Sequence, residues 1–448
     1  MIKNNQKYGF QCFSSVFQQI WVLVLLILLS SHSIFAAGIL DPNFGSGGKV
    51  SFRIGVSTND RARAAALQPD GKIVIVGTTL PSSAQSPSQR DFAVARLNTD
   101  GSLDSTFGNG GRVITDFNNE EDIVGSVVIQ SDGKIVVGGG RRVIFQSNSL
   151  AFALARYNPN GSLDQTFGSG GKVVTDIPFP EGVIESISFL LLQTDGKIIA
   201  VGSLGGTSPA PGSQILLVRY NTDGSLDASF GDNGKFKILF GYHTSLHGAA
   251  IQPDGKILIS GAYSFTRPNC IPTHSNPCTG YQMFLLRYDQ QMRLDRRFGR
   301  RFGKEFYYNW NPSNGVYGLS VQPDGRIFLE ENYYNGIYSS SGRLQGSFDQ
   351  LNFANQDFPV SYLRQRPDGT IAGCGYLNTG GSTDMAVALF NGNGRFIGAD
   401  TRDFFGATDV CTGLLAQPDN KIVIVGNAQV APESSYGFAV MRYLDITP

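Results

Sequence analysis

The sequence predicts an all-β fold, a seven-bladed β-propeller of four-stranded antiparallel blades closed by pairing of its N- and C-terminal strands. Three observations predict it. One hairpin motif occurs seven times, a strand–turn–corner motif follows most of its copies, and the two chain ends carry complementary halves of one unit.

The hairpin motif reads Gln68-Pro69-Asp70-Gly71-Lys72-Ile73 in its first copy. It returns with starts at Gln130, Gln193, Gln252, Gln322, Arg366 and Gln417, spaced 62, 63, 59, 70, 44 and 51 residues apart. A period of this size marks radial or stacked repeats rather than independent domains. Pro at the second turn position presets φ, Asp tolerates the bridge region, and Gly takes the left-handed position that reverses the chain. The flanks Ala64–Leu67 and Ile73–Gly77 read as strands. The near-continuous apolar run after the turn implies a strand buried on both faces, as between neighbouring blades.

The second motif starts with the strand Phe92-Ala93-Val94-Ala95-Arg96-Leu97 and the turn Asn98-Thr99-Asp100-Gly101. It continues through the corner Leu103-Asp104-Ser105-Thr106-Phe107-Gly108 into a strand opened by Gly110-Gly111-Arg112-Val113. The order recurs at residues 152–173, 216–236 and 284–306, so each unit offers four short strands, the content of one blade. The fifth and sixth units keep the strand, at Asn335–Tyr338 and Met385–Leu389, but lose its Arg.

The chain enters in mid-unit, at Leu40-Asp41-Pro42-Asn43-Phe44-Gly45, and stops after Phe438–Tyr443, the half that belongs before it. In a ring the two halves share one blade and remove the free sheet edges that invite aggregation. Counted along the chain, the units are residues 40–102, 103–162, 163–225, 226–293, 294–343, 344–395 and 396–448, within one propeller domain, 38–448.

Residues 1–37 read as a secretory signal peptide. Lys3 and Lys7 precede the apolar run Ile20–Leu29, and the small residues of Ser30–Ala37 offer a cut after Ala36. Ten apolar residues span only ~15 Å as a helix, so no transmembrane segment is expected in the mature chain. Lys+Arg and Asp+Glu stand at 36 each, and this balance speaks against a nucleic-acid partner, which demands a basic excess. After the leader four Cys remain, and an even count in an exported protein favours disulfides. Cys270 with Cys278 would staple one Pro-rich insertion, and Cys374 with Cys411 would bridge neighbouring repeats, although four thiols allow three connectivities.

These motifs resemble the delta-60 repeat family of bacterial exported β-propeller-like proteins. The shared marks are the Gln-Pro-Asp-Gly-Lys-Ile turn, the Arg-Tyr-Asn-x-Asp-Gly-Ser-Leu-Asp segment and the Phe-Gly-x-Gly-Gly corner. The resemblance is strong from Ile39 to about Phe302 and weak through residues 330–410. It implies a secreted or surface location and brings no established activity.

Arg and the corner Asp lie eight apart in Arg96/Asp104, Arg156/Asp164, Arg219/Asp227 and Arg287/Asp295, and a four-residue turn between them sets them side by side. One semi-buried ion pair per blade is expected, with Arg442 meeting Asp41 across the closure, to set register rather than net stability. A calcium reading of the Asn-x-Asp-Gly-Ser-Leu-Asp runs fails, because Arg96 and its counterparts stand where the first carboxylate ligand belongs. His243, His247 and His274 are too few and badly spaced for zinc. No catalytic residue, metal or cofactor is assigned, and almost every Asp is accounted for by a turn or corner. Paired carboxylates for sugar hydrolysis stay open, since they need no sequence spacing.

Two departures from the repeat offer recognition. Residues 263–283 form an insertion, and a projecting loop on a regular scaffold is where recognition usually sits. Nearby lie Tyr307, Tyr308, Trp310, Tyr317, Tyr333, Tyr334 and Tyr338, amphipathic rings suited to a protein or glycan surface, or to packing within a divergent blade. The expectation is a monomeric, secreted, periplasmic or cell-surface scaffold binding a protein or glycan through blades four to six. The rivals are a secreted propeller hydrolase or lyase with axial carboxylates, and a structural envelope or matrix component.

Overall fold

The structure, a computed structural model, describes residues 38–55, 60–81, 89–142, 150–176, 183–206, 213–240, 244–266, 279–299, 306–308, 318–330, 336–349, 352–353, 356–357, 360–378, 382–404, 408–430 and 435–446. The leader 1–37 lies outside them, as do Cys270, Cys278, Trp310, Tyr317, Tyr333, Tyr334, His243 and His274.

Blade 1 is the sheet Arg61–Leu67, Ile73–Thr79, Asp91–Leu97 and Arg112–Thr115, with neighbours in chain order and all pairs antiparallel. Blades 2 to 6 repeat it over residues 122–175, 183–238, 244–308, 318–347 and 360–402. A small hairpin, Asn352–Phe353 with Gln356–Asp357, stands between blades 5 and 6. Blade 7 joins Asp409–Ala416, Ile422–Val430 and Ser435–Ile446 to an outer strand from the other end of the chain, Lys49–Phe52. Gly38–Leu40 also pairs with Ser435–Ile446, so the termini close the ring. The first strand of each blade touches the first strand of the next all the way round, which puts these seven strands at the axis.

The hairpin turn is local chemistry. Gly71 N–H donates to Gln68 O, Asp70 Oδ1 accepts Lys72 N–H, and Gly71 sits at φ +83°. In the seventh copy Asn420 replaces Gly and holds the same region at φ +66°, which Asn tolerates better than other side chains.

Each second strand is buried on both faces because it is sandwiched. Ile73 and Ile75 pack with Val423, Val425 and Phe438 of blade 7, while Val74 and Val76 pack with Ile135 and Val137 of blade 2. The two-residue period of a strand thus feeds two inter-blade cores, each such side chain contributing about 1.5–3 kcal/mol. The blades are offset from the sequence units: Arg112–Thr115 lies in unit 103–162 yet completes blade 1. Each unit supplies the outer strand of one blade and three strands of the next, so the covalent chain crosses every inter-blade seam.

Cys374 in the second strand of blade 6 is disulfide-bonded to Cys411 in the first strand of blade 7. The bond closes a loop with a sequence separation of 37. Reduction should therefore cost about 3–4 kcal/mol by chain entropy, read as a lower melting temperature in dithiothreitol that a Cys374→Ala/Cys411→Ala variant does not show.

Candidate functional site

One face of the ring carries a repeated ionic assembly at the corners. Arg96 Nε donates to Asp104 Oδ2 at 2.7 Å, and Arg156–Asp164 and Arg219–Asp227 repeat that distance. Arg287 donates to Asp295 at 2.8 Å through Nη2, and Arg442 Nε reaches Asp41 at 2.9 Å across the closure. A second cation comes from the hairpin turn: Lys72, Lys134, Lys197 and Lys421 stand 2.9, 3.3, 2.9 and 3.6 Å from the corner carboxylates of Asp104, Asp164, Asp227 and Asp41. The corner Phe lies under each guanidinium, with Phe44, Phe107, Phe167, Phe230 and Phe298 centred 4.4–4.6 Å away.

The guanidinium has a further partner. Its Nη1 donates to a turn carbonyl of the next blade: Arg442 to Thr99, Arg96 to Pro159, Arg156 to Thr222, Arg219 to Gln290, and Arg287 to Ser340. The blades approach closely here, for Gly45 N–H donates to Asp100 O at 2.7 Å and a Cβ on Gly101 would sit 3.0 Å from Gly45 N. Gly101, at φ +86°, is therefore required twice over, for its backbone and for its lack of a side chain.

Sequence reasoning missed how blades 5 and 6 replace the lost Arg. Arg326, standing where other hairpin turns have Lys, donates Nη1 to Gly392 O of blade 6. Arg366, standing where they have Gln, donates Nε to Asn420 O of blade 7 at 2.8 Å. With these two, every one of the seven seams has an arginine-to-carbonyl tie. The signal was visible as Lys→Arg and Gln→Arg changes in the very repeats that lose the strand arginine.

A second set of acids belongs to neither turn nor corner, which corrects the expectation that those features absorb almost every Asp. Asp91, Asp116 and Asp122 cluster at the seam of blades 1 and 2, and Asp384, Asp403 and Asp409 at the seam of blades 6 and 7. Asp122 Oδ2 accepts Phe117 N–H and Asp409 Oδ2 accepts Phe404 N–H, each at 2.8 Å. A visible mark is the Asp-Phe pair followed by Asp six residues after the first, in Asp116-Phe117…Asp122 and Asp403-Phe404…Asp409.

The two sets are held at opposite ends of the carboxylate range. Burial works to raise Asp104, but the Thr106 hydroxyl, Lys72 and Arg96 together hold it well below the usual value; Asp164 is held at about 2 against the same burial. Burial, reinforced by the Asp91 and Asp116 charges, pushes Asp122 up to about 8, and burial with the Asp403 and Asp384 charges pushes Asp409 up to about 7. An acid held low stabilises the fold above its unfolded value of about 4 and loses that contribution as pH falls through the folded value. An acid held high opposes folding increasingly as pH rises from about 4 to its folded value. In a chelating buffer the melting temperature should therefore peak between about pH 4 and 5 and decline on both sides. A maximum at pH 7 or above in thermal melts contradicts this.

The axial channel is a space of about 520 Å³ walled by the first strands, including Ala64, Val124, Ser188, Leu319, Tyr362 and Leu414. Among the described residues lining it none is acidic, and its charged side chains are Arg63 and Arg364. His247 occupies the bulge in the first strand of blade 4, where burial lowers its pKa to about 4 and Ser245 Oγ lies 3.0 Å from Nε2.

The insertion at 263–283 is only partly a loop, a correction to its sequence reading. Ile257–Thr266 and Thr279–Tyr288 pair over ten residues, so 263–266 and 279–283 continue the hairpin, with Tyr263 Oη donating to Gln282 Oε1 at 2.5 Å. Among the described residues the equivalent strands pair over seven in blade 1, nine in blade 7 and three in blade 5. Tyr307 and Tyr308 lie in the outer strand of blade 4, Phe306–Tyr308, opposite Gln282 and Tyr281. Tyr338 is buried in the core of blade 5, not at a surface.

Residues 68–107, 130–167, 193–230 and 417–444 match the model of a domain of unknown function (DUF5122) beta-propeller. No curated protein matches the chain. Among solved structures the chain is similar to polysaccharide lyase Uly1 at 12% identity and TM-score 0.48, covering 92% of this chain and 98% of that one. It is also similar to a Penicillium chrysogenum alpha-L-arabinanase complexed with arabinobiose, at 11% identity and TM-score 0.45 over 92% and 98%. A catalytically inactive virginiamycin B lyase from Staphylococcus aureus with quinupristin follows at 10% identity and TM-score 0.43 over 88% and 98%. No activity is carried over from any of them. The chain is a repeat protein of the β-propeller kind, a seven-bladed ring whose repeats match that family model in four places.

Proposed function

We propose that this chain is an exported propeller of the delta-60 repeat kind, acting as a non-enzymatic scaffold that binds a protein or glycan through blades four to six. The observation that carries the reading is the contrast between a uniform ring and one irregular arc. Blades 7, 1, 2 and 3 repeat the same corner geometry to within a few tenths of an ångström in the Arg–Asp bond. Blade 4 instead extends its central hairpin to ten pairs, whereas the equivalent hairpin of blade 5 is only twelve residues from Ile327 to Tyr338. A long hairpin next to a short one makes a step on the surface, the relief a partner can grip. The signal-like leader and the Cys374–Cys411 bond are what support export. The channel argues against the axial-carboxylate rival, since its described lining offers Arg63 and Arg364 and no acid pair.

The test is a glycan array and a pull-down from the native extracellular milieu, comparing the chain with a variant in which residues 267–278 are replaced by Gly-Gly. Binding by the parent and its loss in the variant, at unchanged melting temperature, is the expected result. Release of sugar products from any arrayed polysaccharide, or binding that survives the replacement, overturns it.

A further inference from the structure

We propose that the two aspartate triads at the seams of blades 1/2 and 6/7 are calcium sites, each clamping one blade to the next. The inference does not depend on the functional reading above.

The triads occupy the same three places in the repeat. Asp91 and Asp384 precede the third-strand residues, Phe92 and Met385, that pair with the last outer-strand residue. Asp116 and Asp403 follow that outer-strand residue directly, and Asp122 and Asp409 open the first strand of the next blade. In each triad one carboxylate oxygen per residue lies within 4.8 Å of the other two. Oxygens bonded at about 2.4 Å to a common ion lie at most about 4.8 Å apart, so the spacing suits a hard cation with oxygen ligands.

Two other seams show that the fold does not need this acidity. What the loop requires is one acceptor for its own N–H at the start of the next blade. At the seam of blades 3 and 4 the three places hold Gln214, Leu239 and Thr244, and the Thr244 hydroxyl accepts Phe240 N–H at 2.8 Å. At the seam of blades 7 and 1 they hold Gly437, Arg53 and Asp60. There both Asp60 oxygens have donors, Ile54 N–H at 2.6 Å and the Thr79 hydroxyl at 2.5 Å. Where all three places are Asp, the third residue is fully buried and its second oxygen has no donor. Asp122 Oδ1 and Asp409 Oδ1 both stand without a hydrogen-bond partner, in residues of 0% exposure. A buried carboxylate oxygen left bare is costly, and two more carboxylates aimed at the same point add repulsion. A divalent ion removes both.

The charge balance also favours a cation. Lys172 Nζ donates to Asp116 O at 2.5 Å and Lys49 Nζ to Asp403 O at 2.6 Å, and Arg141 stands opposite Asp122 in blade 2. The three carboxylates outnumber these cations at each site, and a Ca²⁺ offsets the excess. Asp116 Oδ1 already accepts Asn118 and Asn119 N–H, which leaves its Oδ2 for the ion. Both seams adjoin the stretch of ring that holds the chain ends, so the ions would brace blades 7 and 1 from either side.

The purified full chain, stripped with chelator and dialysed against CaCl2, tests this by the number of ions retained. Two Ca²⁺ per chain are expected, with dissociation constants on the order of 10⁻⁴–10⁻³ M as for extracellular modules. Asp122→Asn and Asp409→Asn should each keep one ion and the double variant none; Asn preserves the acceptor for the loop N–H, so folding is retained. Asp116→Asn/Asp403→Asn, changed at the less buried places, should also lose both. Calcium should raise the melting temperature of the parent and leave both double variants unmoved. No ion bound at 10 mM CaCl2, as when Lys172 and Lys49 suffice as counterions, or stoichiometry unchanged in the double variants, overturns the proposal.

Discussion

Asp104→Ala should lower the stability of the propeller by about 3–5 kcal/mol, although it removes only a short side chain on one corner. Asp104 is 3% exposed and accepts from Arg96, Lys72 and the Thr106 hydroxyl at once. Without it Arg96, which lies over Phe107, and Lys72 both lose the carboxylate they share. Arg96 also loses the partner that aims its Nη1 at Pro159 O, so the tie between blades 1 and 2 loosens with the corner. The size of the effect comes from the stranded charges, not from the worth of the pair. Arg96→Met/Asp104→Leu should accordingly cost much less than the sum of Arg96→Met and Asp104→Leu, because it leaves only the more exposed Lys72 without a partner. Chemical denaturation of the four proteins measures the cycle. An Asp104→Ala chain as stable as the parent removes the ionic assembly from the account of how the blades are held.

The second large effect concerns the closure. A chain beginning at Ile54 lacks the outer strand of blade 7, the corner Asp41 and the ring of Phe44. Arg442 then loses its carboxylate, which alone costs about 3–5 kcal/mol, and the fully buried Phe44 adds about 3–5 kcal/mol. The strand Ser435–Ile446 would expose the edge that Lys49–Phe52 covers, an open template for other chains. The expected outcome is a chain that associates or precipitates at temperatures where the parent keeps its size, seen by light scattering during a thermal ramp. A truncated chain that keeps the parent's size and melting temperature contradicts the role given to the ends.

What the sequence made legible is what is local. The turn of Gln68–Lys72 needs only five residues to declare itself, and Arg96 and Asp104, eight apart around a four-residue turn, are within one hairpin and meet as atoms at 2.7 Å. The strand Ile73–Thr79 announced its two buried faces by being apolar at both parities. What stayed hidden depends on the seams. Asp91, Asp116 and Asp122 come from two sheets, and nothing in the spacing of 91 to 116 says that a strand and a corner bring them together. Arg326 and Arg366 stood in the motif without an assigned role, because the tie they restore is made to a turn 66 and 54 residues away. The phase of the units was hidden for a related reason. Repeats have no intrinsic start, so a division at Ser102/Leu103 reads as well as one at Asp60, and only the pairing of Arg112–Thr115 with Asp91–Leu97 decides it.

The ring closed by its own ends is the claim from which the seams, the ties and the irregular arc all take their meaning. Ile39 pairs directly with Asp445, and Ile39 is half exposed, so its replacement by Cys disturbs no core. Directly opposed residues of an antiparallel pair are about 4.5–5.5 Å apart, within reach of a disulfide. On mild oxidation Ile39→Cys/Asp445→Cys should form a covalent circle in nearly every monomer. One proteolytic nick should then leave a single full-mass chain on a non-reducing gel. Failure to crosslink within the monomer, or crosslinking only between chains, would show that the ends do not meet and that the propeller is not closed as described.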